Sequence, residues 1–213
     1  MKRLAPIGLM LLLSLLGACS VLPRGEPLNV YLLPTNLPVR SADTPGVDWS
    51  LRVNRPQSSQ LLDSPRIAVL PEGDLISAYQ GARWSDRAPA LFRDRLIGAF
   101  LDDGRVGAVS SDDGRMQADL ELSSDLRAFQ SEYRNGRPEV HILLDARLVQ
   151  AGNQRILASR RFEVRQIAGD TSVGAVVKTF GVANDQIARQ LIDWVVEQGQ
   201  RNAPGTGSPE TPR

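Results

Sequence analysis

Apolar and polar residues alternate along much of this chain with a period of two, the signature of strands that keep one face wet. Val47, Trp49, Leu51 and Val53 are spaced by polar residues, and Pro56 ends that strand. The longest alternating run carries Val140, Ile142, Leu144, Ala146 and Leu148. Residues 28–33 read as a first strand stopped by Pro34, and residues 66–70 and 75–79 flank Pro71-Glu72-Gly73-Asp74, a set that predicts a hairpin. Further strands are predicted over residues 106–110, 118–126 and 156–164, with Gly152-Asn153 turning into the last of them.

Two segments follow the helical period instead. Ser85 or Asp86 is placed to cap a helix that passes through Pro89 to Asp103, with Phe92, Leu96 and Phe100, and then Ile97 and Leu101, at four-residue spacing. Gly104 stops it. A second helix is predicted from about residue 173 to 198, with Val176, Val177, Phe180, Ala183, Ile187, Leu191 and Val195 on one face and Ser172 as its cap. Together these elements predict an α+β two-layer sandwich, a mostly antiparallel sheet with two main helices on one face.

The first 18 residues have a different character. Lys2 and Arg3 precede an almost unbroken apolar run from Ile7 to Leu16, and Leu16-Gly17-Ala18-Cys19 closes it with the only cysteine in the sequence. A spanning helix needs about 20 apolar residues, and this run is about half that. It resembles a bacterial lipoprotein signal, which implies cleavage before Cys19 and acylation there. More than one acyl chain suffices for stable anchoring without a spanning helix. Ser20, where an aspartate tends to hold such proteins at the inner membrane, leans by the same resemblance toward the periplasmic face of the outer membrane. The expected organisation is a signal over 1–18, a lipidated N-terminus and Pro-rich tether over 19–45, one domain over 46–199 and a disordered tail over 200–213.

Charge and residue inventory narrow the function. Loss of Lys2 and Arg3 with the signal takes 25 basic residues to 23 against 24 acidic, a formal balance of −1. Arginines alternate with acids, as in Arg93-Asp94-Arg95, so no phosphate-binding stripe and no nucleic-acid partner is expected. One cysteine excludes an internal disulfide, and no metal site or cofactor is expected. His141, the one histidine, falls on the polar side of its strand and reads as a surface group, with no catalytic residue expected. Asp102-Asp103-Gly104 and Asp112-Asp113-Gly114 lack the alternating acids and closing glutamate of a calcium loop and read as turn chemistry. No phosphate-binding loop of an ATPase occurs. Strand borders are expected to accept a strand from a second copy or from a partner, with residues 47–53 the candidate border.

The order of these motifs resembles one family. The cysteine-terminated signal, Tyr31-Leu32-Leu33-Pro34, the segment Tyr79-Gln80-Gly81-Ala82-Arg83-Trp84, a helix carrying Leu91 and Phe92, the strand from Ala118-Asp119-Leu120 to Phe129, and a late helix with Trp194 are similar to the ABC-type transport auxiliary lipoproteins, the PqiC-like proteins that accompany MCE-domain lipid transport systems. The resemblance implies a non-enzymatic subunit that docks a periplasm-spanning MCE partner and supports envelope integrity. Tyr79, Arg83, Trp84 and Trp194 are then the candidates for partner binding or for core structure, and Cys19 for lipidation. A freestanding envelope lipoprotein or hydrolytic enzyme on the same fold is the alternative.

Overall fold

The computed structural model describes residues 28–38, 46–114 and 116–202, so Cys19, the signal and residues 203–213 lie outside the described residues. Nine strands form one sheet: β1 (Asn29–Tyr31), β2 (Leu51–Val53), β3 (Gln57–Ser58), β4 (Arg66–Glu72), β5 (Leu75–Trp84), β6 (Val109–Ser111), β7 (Leu120–Arg134), β8 (Arg137–Gln150) and β9 (Arg155–Ile167). Helix α1 (Ala88–Asp103) follows β5 and helix α2 (Val173–Asn202) closes the described chain. The α+β class stands. The sheet, however, is mixed and curled rather than mostly antiparallel.

Strand β7 explains the mixture. It pairs antiparallel with β8 along its whole length on one side, and on the other it takes β2, β3 and β4 one after another, all parallel. Parallel neighbours need a crossover, and α1 supplies one between the β4–β5 hairpin and the return through β6 and β7. A sequence pattern of period two carries no information on strand direction. The hairpin from β7 to β8 turns on Asn135 and Gly136, both left-handed at φ 52° and 75°, between the paired residues Arg134 and Arg137. Asn-Gly is the strongest short hairpin signal and marks this turn in the sequence, although the strand runs well past the expected end at residue 126.

The even-numbered alternation of β8 is a core face, with Val140, Ile142, Leu144, Ala146 and Leu148 all essentially inaccessible. On β7 the apolar register changes parity between Leu126 and Ala128 at a β-bulge, so that Leu120, Leu122 and Leu126 are followed inward by Phe129. Both helices cover this face. Phe92 of α1 and Phe180 of α2 stand 6.2 and 4.8 Å from Phe129 by ring centroids. Helix α1 begins without the expected side-chain cap: Arg87 holds the cap position and the first turn relies on Pro89, whose fixed φ suits it. Leu101 is exposed, because a stripe of Phe92, Leu96 and Phe100 already spans the contact width of a short helix. Ser172 caps α2 as expected, accepting from the Ala175 amide at 3.2 Å. That helix runs through Asn202, three residues into the expected tail.

Two contacts fasten the N-terminal segment to α2. A Cβ on Gly181 would lie 2.9 Å from the Pro34 carbonyl oxygen, so the glycine admits the backbone of residues 33–36. One turn on, buried Asp185 accepts hydrogen bonds from the Thr35 hydroxyl and the Asn36 amide, each at 2.8 Å. Residues 28–38 are therefore part of the folded domain. Gly199 plays the same role further along, because a Cβ there would stand 2.8 Å from Cε2 of the buried Trp49 indole.

Two glycine substitutions should separate these effects. Gly199→Ala should lower stability by about 1–3 kcal/mol through overpacking against Trp49. Gly98→Ala, in the interior of α1 with open space around it, should raise stability by about 0.5–1 kcal/mol through helix propensity. Urea denaturation midpoints of the two variants check both signs.

Candidate docking surfaces

The segment Tyr79–Trp84 is the irregular end of β5. Ala78 pairs with Ala68 and Arg83 with Arg66, so β5 spends five residues where β4 spends two. Gly81 sits in this bulge at φ 64°, a conformation that a side chain would strain. The extra length re-aims both aromatics. Tyr79 turns its phenol to donate to the Ser131 hydroxyl at 3.2 Å, and burial pushes its pKa up to about 12. Trp84 returns to the core face with no exposed surface, 5.2 Å edge-on to Phe180 and 6.0 Å from Phe129. Its indole Nε1 has no partner among the described residues. Arg83 points the other way and is exposed.

Trp194 lies elsewhere. It is a buried residue of α2, edge-on to Phe162 of β9 at 5.7 Å, and the Arg160 guanidinium stands 5.0 Å from the centroid of the Phe162 ring. The structure thus divides the four candidates between two places, Tyr79, Arg83 and Trp84 at β5 and Trp194 behind β9. Both places are sheet borders. Among the described residues β9 pairs only with β8 over its 13 residues, and β1 covers β5 only at Ala82–Trp84, leaving residues 75–81 without a strand neighbour on that side. Residues 47–53, expected at the border, are interior: β2 lies between β6 and β7. Each tryptophan stiffens a border strand from behind.

The sheet face away from the helices is covered by ion pairs. Asp145 accepts both Arg161 and Arg127, which hold its carboxyl down near 2. Arg147 bonds Asp125 at 2.8 Å, and Arg52 pairs with Glu121. At the centre His141 has Nδ1 2.7 Å from Glu132 and Nε2 2.9 Å from Glu163, with Arg165 also bridging to Glu132. The histidine is on the polar face, as its register requires, but only 6% exposed, because long charged side chains of β7 and β9 close over it. Its hydrogen-bonding partners are the Glu132 carboxylate and the Arg165 guanidinium, both at Nδ1; Nε2, although 2.9 Å from Glu163, makes no well-formed hydrogen bond, and no hydroxyl or thiol is hydrogen-bonded to the ring among the described residues. Of the paired aspartates, Asp112 and Asp113 both bind Arg93, and Asp103 binds Arg105. Among the described residues no helix is long and apolar enough to cross a membrane.

A single α+β domain with buried aromatics behind open strand borders is a fold found in other proteins. An uncharacterized protein whose crystal structure covers 80% of this chain and 99% of its own shares the fold at a TM-score of 0.63 and 13% identity. The crystal structure of a Xanthomonas campestris protein matches at a TM-score of 0.75 with 32% identity, over 81% of this chain and 97% of that one. An uncharacterized protein of Bradyrhizobium diazoefficiens is 33% identical over 149 residues, 69% of this chain, and the chain spans 39% of that relative's length. The family model for the ABC-type transport auxiliary lipoprotein component matches residues 31–192, and the chain belongs to that family.

Trp84→Ala should cost roughly 3–5 kcal/mol, seen as a lowered denaturation midpoint, because it opens a cavity between β5, β7 and α2. A pH effect follows from Glu132. Burial raises its carboxyl, and hydrogen bonds from Arg165, His141 and Arg134 outweigh that and hold it at about 2. Its folded value lies below the ordinary 4.5, so this stabilisation is complete above that pH and disappears as pH falls toward 2. Glu132→Gln should therefore lose on the order of 1–3 kcal/mol at neutral pH and flatten the acid slope of stability, as read from urea melts across that window.

Proposed function

We propose that this chain is the lipid-anchored auxiliary subunit of an ABC-type lipid transport system, held through Cys19 at the periplasmic face of the outer membrane and docking an MCE-domain partner that spans the periplasm. Membership of the transport auxiliary lipoprotein family supports the transporter association. The observation that carries the docking role is the border of β9, unpaired among the described residues, 13 residues long and backed by the Phe162–Trp194 contact. A strand of that length offers a row of backbone donors and acceptors to an extended partner segment. Its side chains bias the choice of partner. β9 itself carries Arg155, Arg160, Arg161 and Arg165 against one acid, Glu163; Arg161 and Arg165 are paired with Asp145 and Glu132, but symmetric pairing of two β9 strands would still bring arginines together, whereas an acidic segment would complement them.

Photo-crosslinking residues placed at Ser159 or Arg160 in the cell envelope should yield an adduct with the MCE partner, and one at the exposed Leu101 should yield none. Co-purification of that partner without β9 adducts would remove the docking surface while leaving the subunit role. Absence of any transport component in the purified complex would remove the role itself. Cys19→Ala should abolish palmitate incorporation and release the chain from the membrane fraction, and normal lipidation of that variant would refute the anchor.

A further inference from the structure

The outer side of strand β1 carries an apolar stripe that nothing in the described chain covers. Leu28, Val30 and Leu32, alternate residues, are 54%, 52% and 67% exposed. Val30 lies beside Arg83 in the parallel register of β1 and β5, and Arg83 lies directly opposite Arg66 on β4. Like charges facing each other across strands are unfavourable unless something compensates them. Across the same face Arg127, Arg134, Arg147, Arg161 and Arg165 each pair with a carboxylate. Arg66 and Arg83 are exposed and have no carboxylate partner among the described residues. The border therefore combines an exposed apolar stripe with two uncompensated guanidinium groups, the combination that anionic lipid headgroups over an acyl layer complement.

The position of this patch in the chain selects the occupant. Leu28 is nine residues after Cys19, so the connecting chain spans at most about 30 Å when fully extended. Any anchor at Cys19 keeps the patch within that distance of the bilayer surface and makes its encounter with lipid effectively intramolecular. We propose that the Leu28, Val30, Leu32, Arg66 and Arg83 surface docks flat on the anionic membrane that holds the lipid anchor, orienting the domain. This rests on the proposed acylation of Cys19. The strand order runs from β1 through β5, β4, β7 and β8 to β9, so the docked patch and the β9 border belong to opposite ends of that order and use different strands.

The full chain, reconstituted in phosphatidylcholine vesicles with or without one-third phosphatidylglycerol, tests this with an environment-sensitive fluorescent amino acid at position 32 and a control at Leu101. Flotation reports anchoring separately; if the chain proves unacylated, its Cys19 thiol is coupled to a maleimide lipid and the same measurement is made. In anionic vesicles the position 32 signal should shift to the blue and be quenched by lipid-borne nitroxide at least threefold more than the control. R66E/R83E should remove most of that difference, with an unchanged melt showing that the fold survives. Equal quenching at positions 32 and 101 in anchored protein would overturn the proposal. Protection of position 32 that appears only when the periplasmic domain of a transport partner is added would also overturn it and assign the surface to that protein.

Discussion

The contact on which the rest of this structure depends is the aromatic node around Phe129. Its ring meets Phe92 of α1, Phe180 of α2 and Trp84 of β5, so three elements are fixed to β7 by one of its side chains. Tilted and edge-on arrangements at 4.8 to 6.2 Å are favourable for such rings, and large aromatic side chains bury more surface than any others in a core. The node sits just past the bulge at Leu126 and Ala128, whose extra residue is what turns Phe129 inward. Removing the bulge would put the ring on the charged face.

The geometry of the borders follows from the same node. Trp84 can reach Phe129 only because β5 spends its surplus residues around Gly81, and that irregular stretch ends strand pairing on its outer side. At the other end of the sheet Trp194 presses on Phe162 and holds a long strand with no second neighbour among the described residues. Packing on the inner face thus leaves backbone hydrogen-bonding groups available at the sheet's margin. For the proposed docking role, rigid borders matter more than reactive side chains.

The outer face is a second, polar layer of order. Its arginines and carboxylates form a connected lattice rather than isolated exposed pairs, and burial of Glu121 and His141 within it shows that the long side chains shield one another. Individual exposed pairs contribute little to stability, but a network that holds several charges in place contributes more. Against this lattice, Arg66 and Arg83 stand out because the charges beside them are of the same sign.

Much of this was legible in the residue pattern. The alternation of β8 and the helical stripe of α2 identified the core faces, since burial imposes periods of 2 and 3.6 on any chain that forms these elements. The cysteine-terminated signal and the order of motifs indicated the family, and residues 31–192 belong to it. The pattern could not contain strand direction, because parallel and antiparallel strands alternate alike, and so the mixed sheet came from the α1 crossover. It could not place the border either: residues 47–53 alternate like an edge strand yet lie between β6 and β7. His141 was assigned to the correct face, but its burial depends on carboxylates from β7 and β9 that only the register brings beside it. Sequence fixes which residues share a face of one element, whereas neighbours across elements are decided by bulges, crossovers and close approaches such as those at Gly81, Gly181 and Gly199.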